Sequence, residues 1–152
     1  MRIYITIENM STLEKAIEIA AKHHAGDTDK AGEPYLLHPL RLMFSVDSEF
    51  EKIAAVLHDV VEDTSVTLQD LENEGFHPDV LNAVSALTKE PGESRLEAAT
   101  RAAKDPIARI VKIADVTDNM DLGRISEPQD RDFERLKEYV KVKKLLVNYK
   151  NV

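Results

Sequence analysis

The chain contains no cysteine and no tryptophan, and aromatic residues make up only 5% of it. The lack of cysteine excludes a disulfide framework, a Cys-ligated zinc site, an iron–sulfur cluster and a thiolate nucleophile. Five glycines and six prolines are too few for a loop-rich β-sandwich and favour long helices. No stretch approaches the roughly 18 apolar residues of a membrane span, and the first ten residues lack the apolar core of a secretory signal. We therefore expect no membrane partner and a cytoplasmic location.

Charged residues are plentiful, but acidic residues outnumber basic ones by 28 to 20, and the formal net charge is −8. An acidic surface repels nucleic acids and anionic membranes at long range, and proteins that bind nucleic acid are usually basic. We therefore expect no nucleic-acid partner. A small anion can still bind through a local group of Lys and Arg residues or through a metal ion. The oligomeric state is left open, and a homo-oligomer is compatible with the sequence.

The length of 152 residues suggests a single domain, 1–152, with an all-α fold in the form of a compact bundle. Residues 3–7, which alternate weakly, predict a short strand or an extended N-terminal arm. On the last helix we expect a buried stripe of Phe133, Leu136, Val140 and Val147. Capping residues, prolines and glycines predict the following helices: from a Ser11–Glu14 capping box to about His24, from about Pro39, from Phe50 to about Glu62, from Thr67 to Gly75, from Pro78 to about Thr88, from Ser94, from Pro106 through Met120, and after Pro128.

Four ionisable residues interrupt the apolar run at 56–64, VLHDVVEDT: His58, Asp59, Glu62 and Asp63. If the helix continues, the three carboxylates share one of its faces. Like charges on one face repel each other and are costly to bury, so a cation is expected to offset them. The alternative is a helix that ends here and emerges into solvent, and the pattern alone leaves both interpretations open.

Two further places offer polar partners for this segment. His38 precedes Pro39 in PYLLHP, where a histidine is more often a loop or cap residue than a ligand. Asp115 lies in an otherwise apolar helix and forms a polar face with Asp118 and Asn119, which follow it by three and four residues. Because apolar residues flank this polar face, we do not expect it to be plain surface. For Asp118 alone, the alternative is a solvated turn.

The order of these residues, H…HD…D, resembles that of the HD superfamily of metal-dependent phosphohydrolases. Four longer blocks, GEPYLLHP at 32–39, LHDVVEDT at 57–64, LTK at 87–89 and VKIADVTDNM at 111–120, resemble the hydrolase domain of Rel/Spo-type alarmone enzymes. Those enzymes cleave the 3′-diphosphate from guanosine tetra- and pentaphosphate. The resemblance runs from about residue 16 to 120. It implies an HD-domain helical bundle that works as a stand-alone small alarmone hydrolase.

The resemblance also assigns roles to individual residues. It implies a metal site with two His and two Asp ligands, His38, His58, Asp59 and Asp115, and an acidic pair, Glu62 and Asp63, that orients or deprotonates the attacking water. The family usually uses Mn²⁺, although such ligands also suit other divalent transition metals. Tyr35, Lys30 and Asn119 match positions near the nucleoside. The substrate phosphates need cations, for which the local candidates are Lys30, Lys89, Arg109, Lys112 and Arg124.

One departure from the family concerns recognition of the base. The family usually carries a basic pair before GEPY, whose Arg packs on guanine, whereas this chain has Asp29-Lys30. Two alternatives to the alarmone hydrolase therefore stay open: a phosphohydrolase acting on another nucleotide or phosphate ester, and a metal- or nucleotide-binding module without turnover. His24 matches a recurrent family position outside the metal shell, while His23 and His77 are expected at the surface or in caps.

Overall fold

The computed structural model describes residues 10–150, and in this range the chain is helical, with no β-strand and one isolated bridge between Thr28 and Pro34. The all-α prediction is therefore confirmed, whereas the strand or arm predicted at 3–7 lies outside the described residues. The elements are α1 Leu13–His23, α2 Leu37–Phe44, α3 Glu49–Leu57, α4 Val60–Asp63, α5 Leu68–Asn73, α6 Pro78–Leu87, α7 Arg95–Ala103, α8 Pro106–Asn119, a 3₁₀ turn Leu122–Arg124, and α9 Asp130–Val147.

Most helix ends follow signals that are local in the sequence. Capping boxes begin α5 at Thr67 and α7 at Ser94, and Pro78 and Pro106 occupy the first turns of α6 and α8. A proline suits this place because the first helical N–H groups have no partner within the helix. Gly75, with φ of 88°, follows the end of α5.

Helix α1 begins one residue later than predicted. Its N-cap is Thr12, whose hydroxyl accepts a hydrogen bond from the N–H of Lys15. The Ser11 hydroxyl instead donates to the carbonyl of Glu74, at the end of α5. The predicted Ser11–Glu14 capping box is therefore wrong, because a tertiary contact engages Ser11. Helix α2 begins at Leu37, two residues before the predicted start at about Pro39.

Helix α3 lies at the centre of the bundle. Its residues 53–57 are all buried, and it contacts α1, α2, α6 and α8. We predicted that this helix runs from Phe50 to about Glu62, but it ends at Leu57, and α4 begins at Val60. Asp59, with φ −106° and ψ −2°, separates the two. The carboxylates of the HD segment therefore do not share the face of one continuous helix.

The predicted buried stripe of α9 is wrong. Phe133 is 49% exposed, Val147 is 60% exposed, and Leu136 and Val140 are only half-buried, whereas Val142 and Leu146 are buried. Because α9 packs on α7 and α8, the face that these helices cover decides which side chains are buried. None of the helices in residues 10–150 is long and apolar enough to cross a membrane.

Candidate metal centre and adjoining cavities

His58 lies at the break between α3 and α4, with its imidazole almost fully enclosed. The ring is 2% exposed, and its Nδ1 donates a hydrogen bond of 2.7 Å to the carbonyl of Ala55. In the neutral ring Nε2 is then bare. It lies 2.9 Å from Asp59 Oδ2 and 3.9 Å from Asp115 Oδ1, yet it has no aligned hydrogen bond to protein. The interrupted helix thus aims Nε2 of His58 at two carboxylates.

His38 and Asp115 bring the helices α2 and α8 to the same point. His38 Nε2 lies 3.2 Å from Asp115 Oδ1, and one ligand atom from each of His38, His58 and Asp115 lies within 4.8 Å of the others. Asp115 also accepts hydrogen bonds from Lys112 Nζ at 2.8 Å and Asn119 Nδ2 at 2.7 Å. Three of the four ligands predicted from the sequence thus converge. The fourth, Asp59, lies 2.9 Å from His58 but groups with Glu62 and Asp63 rather than with His38 and Asp115.

The chemistry of this cluster fits a divalent cation. Burial disfavours the charged forms of His58 and Asp59. Their attraction to each other is larger than this effect, so the pKa of His58 is raised and the pKa of Asp59 is lowered. Both shifts show that the buried carboxylates favour a positive charge between them. Two imidazole nitrogens with two carboxylate oxygens form a donor set that borderline transition metals prefer. A buried, unpartnered Nε2 is the kind of atom that such an ion satisfies.

Tyr35 supports the cluster from the loop before α2. Its hydroxyl donates a hydrogen bond to Asp59 Oδ2, and its ring lies 4.8 Å from that of His24. His24 is buried, and neither of its ring nitrogens has a hydrogen-bond partner in the described chain. It is not among the residues whose ligand atoms meet at the cluster. His77 caps α6 by accepting from the N–H of Asp79, which confirms its predicted role. His23 is the last residue of α1.

Glu62 and Asp63 lie beside Asp59 on the side that faces solvent. Carboxylate oxygens of these three residues lie within 4.8 Å of one another. Glu62 Oε1 accepts a hydrogen bond of 2.6 Å from the N–H of Lys89 and is thereby fixed. Burial and the charges of Asp59 and Glu62 raise the pKa of Asp63 to about 6. The predicted acidic pair therefore borders the candidate metal centre.

Asp118 is a contributor that the sequence analysis missed. Its Oδ2 lies 2.6 Å from His38 Nδ1, and Arg41 and Arg124 contact the same carboxylate. These partners hold the pKa of Asp118 well below its usual range against the effect of burial. The alternative of a solvated turn for Asp118 is therefore wrong. A usable signal was spacing, because Arg41 follows His38 by three residues and Asp118 follows Asp115 by three.

A cavity of about 290 Å³ opens on one side of the cluster. Tyr139 presents a ring to it, with the Arg95 guanidinium 4.8 Å and the Lys30 ammonium 5.9 Å from the ring centroid. Asp29 turns its carboxylate toward its own loop and accepts the N–H groups of Ala31 and Glu33. The lining includes Thr28, Asp29, Lys30, Tyr35, His38, Arg41, Asp59, Asn119, Arg124, Arg135 and Tyr139.

A smaller cavity of about 80 Å³ lies beyond Asp59 and Glu62 and is lined by three cations, Lys89, Arg95 and Lys112. Of the cations proposed for phosphate binding, Lys30 and Arg124 line the larger cavity, and Lys89 and Lys112 line the smaller one. Arg109 instead lies over the ring of Tyr149, 5.8 Å from its centroid, and lines neither. The expectation for Arg109 is wrong, because its helix position directs it toward the end of α9.

The fold and the site place this chain among α-helical domains in which His and Asp residues from separate elements converge on a candidate metal centre. The sequence profile described as the HD domain matches residues 16–140 of this chain. The chain therefore belongs to the HD domain family, and the resemblance described from its motifs is confirmed.

Curated relatives carry names that refer to guanosine nucleotides. The chain is 33% identical to the "Probable GTP pyrophosphokinase" of Mycobacterium leprae over 80% of its own length and 17% of the relative. It is 31% identical to the "Guanosine-3′,5′-bis(diphosphate) 3′-pyrophosphohydrolase" of Vibrio cholerae over 87% of its own length and 21% of the relative. The chain thus spans about a fifth of these proteins.

A solved structure described as a metazoan orthologue of SpoT that hydrolyses ppGpp shares the fold. Its TM-score with this chain is 0.75 at 24% identity, and the match covers 99% of this chain and 91% of that one. At this identity the likeness shows the fold alone.

Proposed function

We propose that this domain is a divalent-metal-dependent phosphohydrolase that removes the 3′-diphosphate from guanosine tetra- or pentaphosphate. The observation that carries the proposal is the convergence of His38, His58 and Asp115, with Asp59 2.9 Å from His58, beside an acidic pair and two cavities. The name of the Vibrio cholerae relative supports the choice of substrate. We also propose that the protein is cytoplasmic, where such a nucleotide would be found.

Four side chains of this chain would hold the ion: His38 and His58 through Nε2, and Asp59 and Asp115 through carboxylate oxygens. We propose Mn²⁺, which suits mixed imidazole and carboxylate ligands. When bound, a divalent ion neutralises phosphate charge and lowers the pKa of a water molecule. Glu62 or Asp63 would hold that water and accept its proton, since both lie next to Asp59 and reach the same space.

In this proposal the two cavities bind different parts of the substrate. The larger one offers Tyr35, Tyr139 and Asn119 to a nucleoside, with Lys30 at its edge. The smaller one offers Lys89 and Lys112 to a diphosphate. Since Asp59 lines both, the bond to be broken lies at the candidate metal centre. Lys112 and Asn119 also hydrogen-bond Asp115, so they position a ligand as well as line a cavity.

A second candidate, hydrolysis of another nucleotide or phosphate ester, is favoured by Asp29. Its carboxylate is engaged by the N–H groups of Ala31 and Glu33, so this position offers no cation to stack on a base. The observation leaves the metal chemistry untouched and bears only on which base the larger cavity accepts.

One experiment separates these functions. The purified chain is incubated with Mn²⁺ and guanosine tetraphosphate, and the products are resolved by ion-exchange chromatography. We expect GDP and pyrophosphate, with turnover abolished by a chelator and restored by Mn²⁺. Turnover of other nucleotides without cleavage of guanosine tetraphosphate would support the second candidate. Binding without any turnover would contradict both and indicate a binding module.

A further inference from the structure

Asp118, a carboxylate outside the proposed ligand set, contacts the ring nitrogen of His38 that points away from the candidate metal centre. Asp118 Oδ2 lies 2.6 Å from Nδ1 of the imidazole, while Nε2 of the same ring faces Asp115 Oδ1 at 3.2 Å. The ring is 5% exposed, so water does not compete freely for either nitrogen. Both nitrogens face a carboxylate, but the contact at Nδ1 is 0.6 Å shorter than the contact at Nε2, so the hydrogen of the neutral ring is assigned to Nδ1, and Nε2 is bare toward the candidate metal centre.

Asp118 is itself held by two arginines from different elements. Arg41, on α2, donates from Nε to Oδ1 at 2.8 Å and from Nη2 to Oδ2 at 3.0 Å. Arg124, in the 3₁₀ turn, donates from Nη1 to Oδ1 at 3.2 Å and from Nη2 to Oδ2 at 3.3 Å. The paired contacts from Arg41 match the fork geometry of guanidinium and carboxylate, which fixes direction as well as distance. Asp118 therefore cannot rotate away from His38 without losing both cations.

We propose that Asp118 is a positioning residue for the metal centre, which keeps the His38 ring in the Nδ1–H tautomer and directs Nε2 at the ion. The inference rests on the metal site of the proposed function, and Asp118 acts through His38. A carboxylate that accepts the outer N–H of a ligating histidine raises the basicity of the ring, and loss of such a partner typically weakens metal binding 10- to 100-fold. Arg41 and Arg124 fix the carboxylate in this role.

Replacement of Asp118 by Asn tests the proposal through metal affinity rather than turnover. Mn²⁺ is titrated calorimetrically into the metal-stripped full chain and into the Asp118→Asn variant. We expect an affinity about 10- to 100-fold weaker in the variant. The matched control is Asp47→Asn, at an exposed carboxylate in the loop between α2 and α3, which should bind as the parent does. A loss smaller than about fivefold in Asp118→Asn would overturn the proposal. A parent chain that binds no Mn²⁺ would overturn the proposed function itself.

A measurement on the parent chain keeps the proposal testable if the variant does not fold. In the Zn²⁺-loaded, ¹⁵N-labelled protein, the imidazole of His38 should carry its hydrogen on Nδ1, as seen from one-bond coupling. A hydrogen on Nε2 would contradict the assignment. In a folded Asp118→Asn variant the resonance of this hydrogen should move upfield, because its acceptor is no longer charged. A merely structural role for Asp118 would lower Tm and leave this resonance and the Mn²⁺ affinity in place.

Discussion

The two halves of the candidate metal centre differ in how their side chains are partnered. On the side of His38 and Asp115, both residues have several neighbours. Asp118 accepts from the ring, and Lys112 and Asn119 donate to the carboxylate of Asp115. Every ligand position on this side is thus set by hydrogen bonds that need no ion.

On the other side, His58 and Asp59 have few partners. His58 Nε2 has no aligned hydrogen bond. The basic side-chain nitrogen nearest to Asp59 within residues 10–150 is His58 Nε2, at 2.9 Å, and no Lys or Arg nitrogen lies within 4.0 Å of the Asp59 carboxylate. Asp115, in contrast, has Lys112 at 2.8 Å. An added cation is therefore needed mainly by the HD pair, whereas the side chains of the opposite half are already positioned by hydrogen bonds within the protein.

Loss of the Asp59 carboxylate should therefore have the largest effect. In Asp59→Asn we expect Mn²⁺ affinity to fall by more than the roughly 100-fold that an outer partner costs, and activity to disappear with it. The measurement is metal content after dialysis, together with product formation. The control is Asp47→Asn, an exposed carboxylate in the loop between α2 and α3, whose metal content should stay close to that of the parent. An Asp59→Asn protein that retains stoichiometric Mn²⁺ would contradict the comparison.

Replacement of Glu62 should separate rate from metal binding. Glu62 borders the HD pair, but its Oε1 is fixed by the N–H of Lys89 rather than by the two imidazoles. In Glu62→Gln we expect kcat to fall about 10²- to 10⁴-fold, the usual contribution of a group that moves a proton, with Mn²⁺ affinity unchanged. Kinetics and calorimetry on the same preparation test this. A metal-free Glu62→Gln protein would show that Glu62 is a ligand and that our assignment is wrong.

The sequence predicted those features that depend on neighbouring residues. Capping at Thr67 and Ser94, and helix starts at Pro78 and Pro106, follow from local hydrogen bonding and were correct. The break at Asp59 was missed, because an apolar run at helical spacing carries no local stop signal. The resemblance to the HD family, rather than periodicity, singled out the residues that converge.

Long-range pairing explains what else was missed. Asp118 and Arg41 are 77 residues apart, and their contact depends on the packing of α2 against α8. The buried face of α9 likewise depends on which of two apolar stripes meets α7 and α8. Tyr139, Val142 and Leu146 form the stripe that does. Neither outcome can be read from spacing within one segment.

The smallest effect on stability is expected at a carboxylate whose charge is paired entirely by protein side chains and needs no metal ion. Glu93 accepts from Arg101 Nε at 2.8 Å and Nη2 at 3.0 Å, and Arg101 also donates to the carbonyls of Ala86 and Thr88. The hydrogen bonds from Arg101 and from the N–H of Glu90 lower the pKa of Glu93 to about 2, from 4.5.

Since the folded pKa of Glu93 lies below the unfolded one, its ion pair stabilises the fold fully above pH 4.5 and less as the pH falls toward 2. The difference in Tm between the parent and Glu93→Gln should therefore be constant near neutrality and shrink in this acid window, and a chelator should not change it. Thermal unfolding at a series of pH values, with and without Mn²⁺, measures this. A difference that grows on acidification would contradict the pairing, and one that depends on Mn²⁺ would show that the Glu93–Arg101 pair is coupled to the metal centre after all.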